Sequence, residues 1–314
     1  MLVSKMLDKV ASSLESKGLY REALDLDMIS NGIEAGTKYF GSPKEIFKKL
    51  SDKTLIFFDT ETTGLDNKIN QVTEIGALAV KAPEFEIIGT FHKGIELTEE
   101  TLKLIKEEEG IELPKGKLKI IDILKMTDYY GKEEIIKGTE KDVIEEFVEF
   151  CGKYPDAVLV AQNASFDLKM LSRVSKLKGR EVIDTVRLSG YYIVPILEAL
   201  RKEGTLEQSS GASSILKDMT NVKGEITTSL GKILPALGGK IENWHTALGD
   251  VKSTIMLYRL IMKFIEDNID MAESDTFAKS QAKAKLKEKK YKGYDRDRAF
   301  KSRIEKNKIR RDKA

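Results

Sequence analysis

Four consecutive apolar residues, Leu55-Ile56-Phe57-Phe58, run straight into Asp59, and Glu61 follows two positions later. An apolar run this dense reads as a strand buried on both faces. In a strand, residues two apart point to the same side. Asp59 and Glu61 therefore set two carboxylates side by side at the end of a buried strand. Like charges that close repel unless something positive lies between them. A hard divalent cation, Mg²⁺ or Mn²⁺, held by oxygen ligands is the physical solution. For an isolated D-x-E pair, solvated acids at a strand end would be the simpler account, so the choice depends on what the rest of the chain supplies.

Two further segments supply it. Gln162-Asn163-Ala164-Ser165-Phe166-Asp167 lies where the apolar stretch 157–161 gives way to a helical pattern. Functional groups commonly gather at such strand-to-helix turns in α/β sheets. Asp167 alone would be read as an acid that favours a helix N-terminus. His245 precedes a long amphipathic helix over 246–266, and Asp250 interrupts its core-facing surface near Val251. The other histidine, His92, falls in an expected strand and is read as structural.

The surrounding pattern is α/β. Strands are expected near 54–59, 71–80 and 86–93, forming an antiparallel meander, followed by alternating helix and strand. Helices are expected over 98–109, 139–151, 166–177, 186–201 and 229–237, with strands at 157–161 and 181–184. Residues 110–138 and 203–228 read as elaborated loops, the second rich in Gly, Ser and Thr. The result is a mixed sheet with helices on both faces.

The three carboxylate segments together resemble the motifs of the DEDDh, or DnaQ-like, 3′→5′ exonucleases: Asp59-x-Glu61, Asn163-x-x-Phe166-Asp167 and His245-x₄-Asp250. The resemblance spans roughly residues 52–266 and implies a ribonuclease H-like fold. It also implies that Asp59, Glu61, Asp167 and Asp250 hold two Mg²⁺ or Mn²⁺ ions, with His245 as general base. An imidazole can be neutral at rest and accept a proton near neutral pH. Thr62, Thr63 and Gly64 would face the terminal ribose, and Leu65 would wedge under the last base. Asn163 and Phe166 would support the terminal nucleotide. The related group with tyrosine in place of histidine would carry it four residues before the last aspartate, where this chain has Thr246.

The implied activity is release of nucleotides from 3′ ends of single-stranded nucleic acid. DNA is preferred because Thr62-Thr63-Gly64-Leu65 resembles the proofreading branch most closely. RNA trimming is the alternative enzyme. A non-catalytic module that binds nucleic acid or a polymerase is the alternative outside catalysis. Proofreading would need a separate polymerase.

Three regions are expected: a helical N-terminal extension (1–51), the exonuclease domain (52–267) and a basic tail (268–314). In 278–314 there are 16 basic and 5 acidic residues, against 37 and 46 in the remainder. A basic tail on an acidic body suits an anionic partner. Cys151 is the only cysteine, no signal-peptide pattern opens the chain, and no apolar run spans a bilayer, so a cytoplasmic, membrane-free protein is expected.

Overall fold

The computed structural model describes residues 50 and 52–282, apart from 114–117, 133, 134, 136, 172–176, 178, 179, 208–210, 222, 223 and 242–244. The expected N-terminal extension, Leu50 aside, and the tail beyond Ala282 lie outside the described residues. The element order is β1 Thr54–Thr62, β2 Val72–Lys81, β3 Glu86–Ile95, α1 Glu99–Glu107, α2 Ile120–Met126, β4 Lys137–Gly138, α3 Glu140–Gly152, β5 Val158–Ala161, α4 Ala164–Met170 and β6 Val182–Asp184. It continues with α5 Thr185–Leu188, a π-helical turn Ser189–Ile193, α6 Val194–Lys202, α7 Ala212–Met219, α8 Leu230–Ala236, α9 Ala247–Asp267 and α10 Ile269–Ala272.

The six strands form one mixed sheet in the order β4-β3-β2-β1-β5-β6. β1–β3 are the antiparallel meander, while β1–β5, β5–β6 and β3–β4 pair in parallel. β1 is central, and its alternation divides the core. Leu55 and Phe57 join the cluster shared with α6, α8 and α9. Ile56 and Phe58 join the opposite cluster, with α3 and α4. Aromatic contacts mark both layers: Phe57 meets Tyr258 of α9 edge-on at 5.5 Å, and Phe58 meets Phe147 of α3 at 5.7 Å. The helices cap as their sequences direct. Thr98, Thr139 and Thr246 each accept an N–H three residues on with a side-chain oxygen.

The mixed sheet with helices on both faces is thus as expected, and the differences are local. The stretch 110–138 is not wholly irregular. It contains α2, whose Ile120 and Leu124 pack with Tyr129 into a small separate cluster, and β4, which extends the sheet edge. The stretch 203–228 contains α7, with Ile215 and Met219 in the main core. Small polar residues around it mask a short amphipathic pattern. The helix expected over 166–177 begins earlier and is short, ending at Met170. Residues 269–272 and 275–282 are also helical. Phe277 stacks on Tyr192 at 6.3 Å, and Gln281 Nε2 donates to Tyr191 O at 2.6 Å. The packed body therefore continues to at least Ala282, because the apolar residues Phe277, Ala278 and Ala282 precede the main run of basic residues. No helix among the described residues is long and apolar enough to cross a membrane.

Candidate active site

β1 and β2 are in antiparallel register, so Asp59 lies opposite Gly76 and Glu61 opposite Glu74. Residues directly opposite share a face. Asp59, Glu61 and Glu74 therefore all point to the α9 side, continuing the line of Leu55 and Phe57. α9 presents Asp250 from its first turn. Ligand oxygens of Asp59, Glu61 and Asp250 lie within 4.8 Å of one another. Thr60 points the other way, toward α4. Its N–H and hydroxyl both donate to Asp167 Oδ1, at 3.1 and 2.7 Å. That pair of bonds ties the α4 aspartate to the same strand end.

The cluster is electrostatically unbalanced. Burial first, and then Asp167, Glu61 and Asp250, hold Asp59 well above the usual carboxylate range. Burial, with Asp250 and Glu74 nearby, pushes Glu61 up to about 7. Burial also pushes Asp167 to about 7, against the Thr60 bonds, and Asp250 to about 6. Asp250 Oδ1 is buried and has no hydrogen-bond partner. Buried carboxylate oxygens without donors are costly. A hard cation among these oxygens would remove both the repulsion and the orphan, so the donor set fits Mg²⁺ or Mn²⁺.

His245 precedes α9 with a left-handed backbone, φ 65°. Its N–H donates to the Asp250 carboxylate, which opposes the effect of burial there. The general-base candidate and the last carboxylate are thus joined through the backbone.

The expected nucleotide-facing residues are also placed. Thr62 donates its hydroxyl to Gly64 O. Thr63 and Gln71 bond reciprocally, Thr63 N–H to Gln71 O at 3.0 Å and Gln71 N–H to Thr63 Oγ1 at 3.0 Å. A Cβ on Gly64 would meet the Asn70 side chain at 2.8 Å, so only glycine leaves this turn closed as it is. Leu65, at its tip, is 80% exposed. The turn thus presents an exposed leucine beside the strand end. Asn163 has φ 64°, and its N–H donates to Asp184 Oδ1. Phe166 is half-buried against the α3 side of the core.

Sequence reasoning missed one member of this neighbourhood, Glu74, whereas His92, expected to be structural, lies in β3 against it. Glu74 is buried, and three groups approach it. Lys132 Nζ donates to Oε2 at 2.5 Å, His92 Nε2 lies 2.8 Å from Oε1, and Ala247 N–H donates to Oε1 at 3.1 Å. Burial alone would raise Glu74, but the bonds from His92 and Lys132 outweigh it and hold it below the ordinary glutamate value. A signal was available: an acid in the run Val72–Val80, whose other members are apolar, small or threonine, demands a partner. Lys132 gave no such signal from its position in a loop.

No family model matches the chain. In sequence it is similar to PolC-type DNA polymerase III of Clostridium perfringens strain 13, 26% identical over 231 residues, 72% of this chain and 12% of that one. The Halalkalibacterium halodurans PolC-type polymerase III is 34% identical over 175 residues, 53% of this chain and 10% of that one. The chain thus spans about a tenth of the length of these relatives. Among solved structures, exonuclease I from Methylocaldum szegediense superposes with a TM-score of 0.46 at 18% identity, over 70% of this chain and 42% of that one. Similarity to a segment of PolC-type polymerases, together with three carboxylate motifs in order along the chain, supports a relationship to the DnaQ-like (DEDDh) exonucleases.

Proposed function

We propose that the chain is a metal-dependent 3′→5′ exonuclease that releases nucleotides from single-stranded nucleic acid, with DNA preferred. The observation that carries this reading is the unbalanced cluster: three acids whose oxygens approach within 4.8 Å at the strand end, with Asp250 Oδ1 lacking a donor. The PolC-type relatives are DNA polymerases by name, which favours DNA over RNA and a separate polymerase as partner. We place the activity in the cytoplasm, in keeping with such relatives.

Asp59, Glu61 and Asp250 would hold one cation, and Asp59 with Asp167 a second. Bound divalent cations supply positive charge that offsets the negative charge building on phosphoryl oxygens during hydrolysis. His245 would accept the proton of the attacking water, and its link to the Asp250 carboxylate fixes the backbone from which it acts. Leu65 would stack beneath the terminal base. Thr62 and Thr63 would offer main-chain groups to its ribose, and Asn163 and Phe166 would line the same nucleotide.

The test is a side-by-side degradation of labelled single-stranded DNA and RNA. Mononucleotides released with Mg²⁺ and abolished by EDTA, faster from DNA, are the expected result. RNA-only degradation would reassign the substrate. Binding without any release would turn the chain into a non-catalytic module.

A further inference from the structure

Two features of β2 converge on the first turn of α9. Glu74 accepts the Ala247 N–H through Oε1. Two residues on, and on the same face, Gly76 lies under the same turn. A Cβ there would meet Ala247 C and Leu248 N at 2.7 Å, both backbone atoms. Backbone atoms at that distance cannot yield without the helix start lifting. One residue thus pulls this turn down, and the other lets it descend.

Glu74 is itself held from two other sides. Lys132, the only buried lysine among the described residues, approaches one carboxylate oxygen from the segment between α2 and β4. His92, opposite Gly76 on β3, approaches the other. With three partners on two oxygens, Glu74 has little freedom of its own. The turn it holds begins immediately after His245 and Thr246 and carries Asp250 three residues beyond Ala247. Asp59 and Glu61 are fixed by the sheet, so the height of this turn sets how closely Asp250 approaches them.

We propose that Glu74 and Gly76, with Lys132 and His92 fixing Glu74, are positioning residues that set the depth of the α9 start and hence the cation-binding geometry of Asp59, Glu61 and Asp250. This rests on the proposed function, since it presumes that the three acids bind cations. It also assigns a task to part of the 110–138 segment, which delivers Lys132.

The test is direct Mn²⁺ binding to the metal-free full chain, followed by EPR of the free ion well below each variant's melting temperature. Glu74→Ala should weaken binding by about 10–100-fold, as loss of a group orienting metal ligands typically does. Gly76→Ala removes no polar group, yet it should weaken binding in the same direction by lifting the turn. The double variant E74Q/K132Q keeps an acceptor for Ala247 N–H and leaves no buried charge unpaired, so it should return toward wild-type affinity. In a short-oligonucleotide assay, kcat should fall for E74A and G76A while KM holds. Wild-type Mn²⁺ affinity in G76A, or in E74A where it folds, would overturn the proposal. A double variant that folds but binds as weakly as E74A would overturn the Ala247 hydrogen bond as the link. No Mn²⁺ binding by the wild-type chain would instead defeat the proposed function, and this inference with it.

Discussion

Two acid sites on neighbouring strands have been solved in opposite ways. At Glu74 the negative charge is matched by Lys132, His92 and a backbone N–H, and the carboxyl sits below its ordinary value. At Asp59, Glu61 and Asp250 the charges are left to face one another, and all three carboxyls are raised. Chain and sheet face are shared, but Glu74 is buried while the three acids are only half-buried, and their partners differ. Where the fold needs an acid, it provides cations of its own. Where it withholds them, the acids are kept for something brought from outside. The first arrangement is built for rigidity, and the second stores repulsion that a ligand relieves.

The sharpest way to break this contrast is to neutralise one acid on each side. Asp59→Asn should abolish turnover while raising the melting temperature of the metal-free protein, because it removes one of several mutually repelling charges. Glu74→Ala should lower that temperature, since it strands Lys132 in the interior, at a cost of about 3–5 kcal/mol for a broken buried pair. Thermal melts with EDTA present check both signs. If D59N melted well below wild type, the two sites would be alike in kind. Asp167 stands between them: it is raised, yet it accepts two bonds from Thr60. Asp167→Ala should therefore lose both turnover and some stability.

The second test concerns His245. His245→Ala should lower kcat by about 10²–10⁴-fold, the range for removing a general base. Mn²⁺ affinity should change little, because the N–H that serves Asp250 belongs to the backbone and survives the substitution. Single-turnover rates with saturating substrate would separate the two. A collapse of substrate affinity at an unchanged single-turnover rate would make His245 a binding residue.

Much of this contrast was legible in the sequence, but unevenly. The unbroken apolar run Leu55–Phe58 marked β1 as a strand buried on both faces, and the motif order pointed to Asp167, His245 and Asp250 as its companions. Local pattern sufficed there because each motif sits at an element boundary with its own apolar signature. The compensated site was not legible. Glu74, His92 and Lys132 come from two strands and a loop, and nothing in their spacing announces that they meet; only the register of β2 against β1 and β3 does so. The helices α2 and α7 were hidden for a related reason, since short amphipathic runs flanked by Gly, Ser and Lys resemble loops until a core is there to receive them.

The third test uses pH. Carboxyl side chains titrate near 4 in an unfolded chain. In the folded, metal-free protein Glu61 and Asp167 titrate near 7 and Asp250 near 6. Between those limits the folded state holds more protons than the unfolded one, so these groups make stability fall as pH rises from about 4 to about 7. Glu74 is lowered instead, so its contribution is fully present above its unfolded value and is lost only at more acid pH. Cations bind the ionised form. The rise in melting temperature on adding Mg²⁺ should thus be small near pH 5 and grow to a plateau above pH 7, at about 2–4 °C for each kcal/mol gained. A Mg²⁺ shift that was flat across this range would mean that the acids are already ionised without metal, and the contrast with Glu74 would disappear.

The smallest effect is expected at the C-terminus, where the contrast moves from buried to exposed charge. Residues 283–314 carry 15 basic and 5 acidic residues, with Tyr291, Tyr294 and Phe300 among them. The rest of the chain is net acidic and would repel a nucleic acid strand from the very site proposed to cleave it. A basic, aromatic-bearing segment offsets that repulsion and gives unpaired bases a stacking partner. The cut should follow Ala282, because Phe277 and Gln281 are packed against the π-helical turn, and an earlier truncation would damage the body. Removal of 283–314 should weaken binding of long single strands and flatten its salt dependence by about 0.7 in log–log slope for each phosphate no longer neutralised. Hydrolysis of a di- or trinucleotide, too short to reach both site and tail, should be nearly unchanged. Equal single-strand affinity and an equal salt slope with and without the segment would leave the tail free for an acidic protein partner and confine substrate capture to the strand end at Asp59.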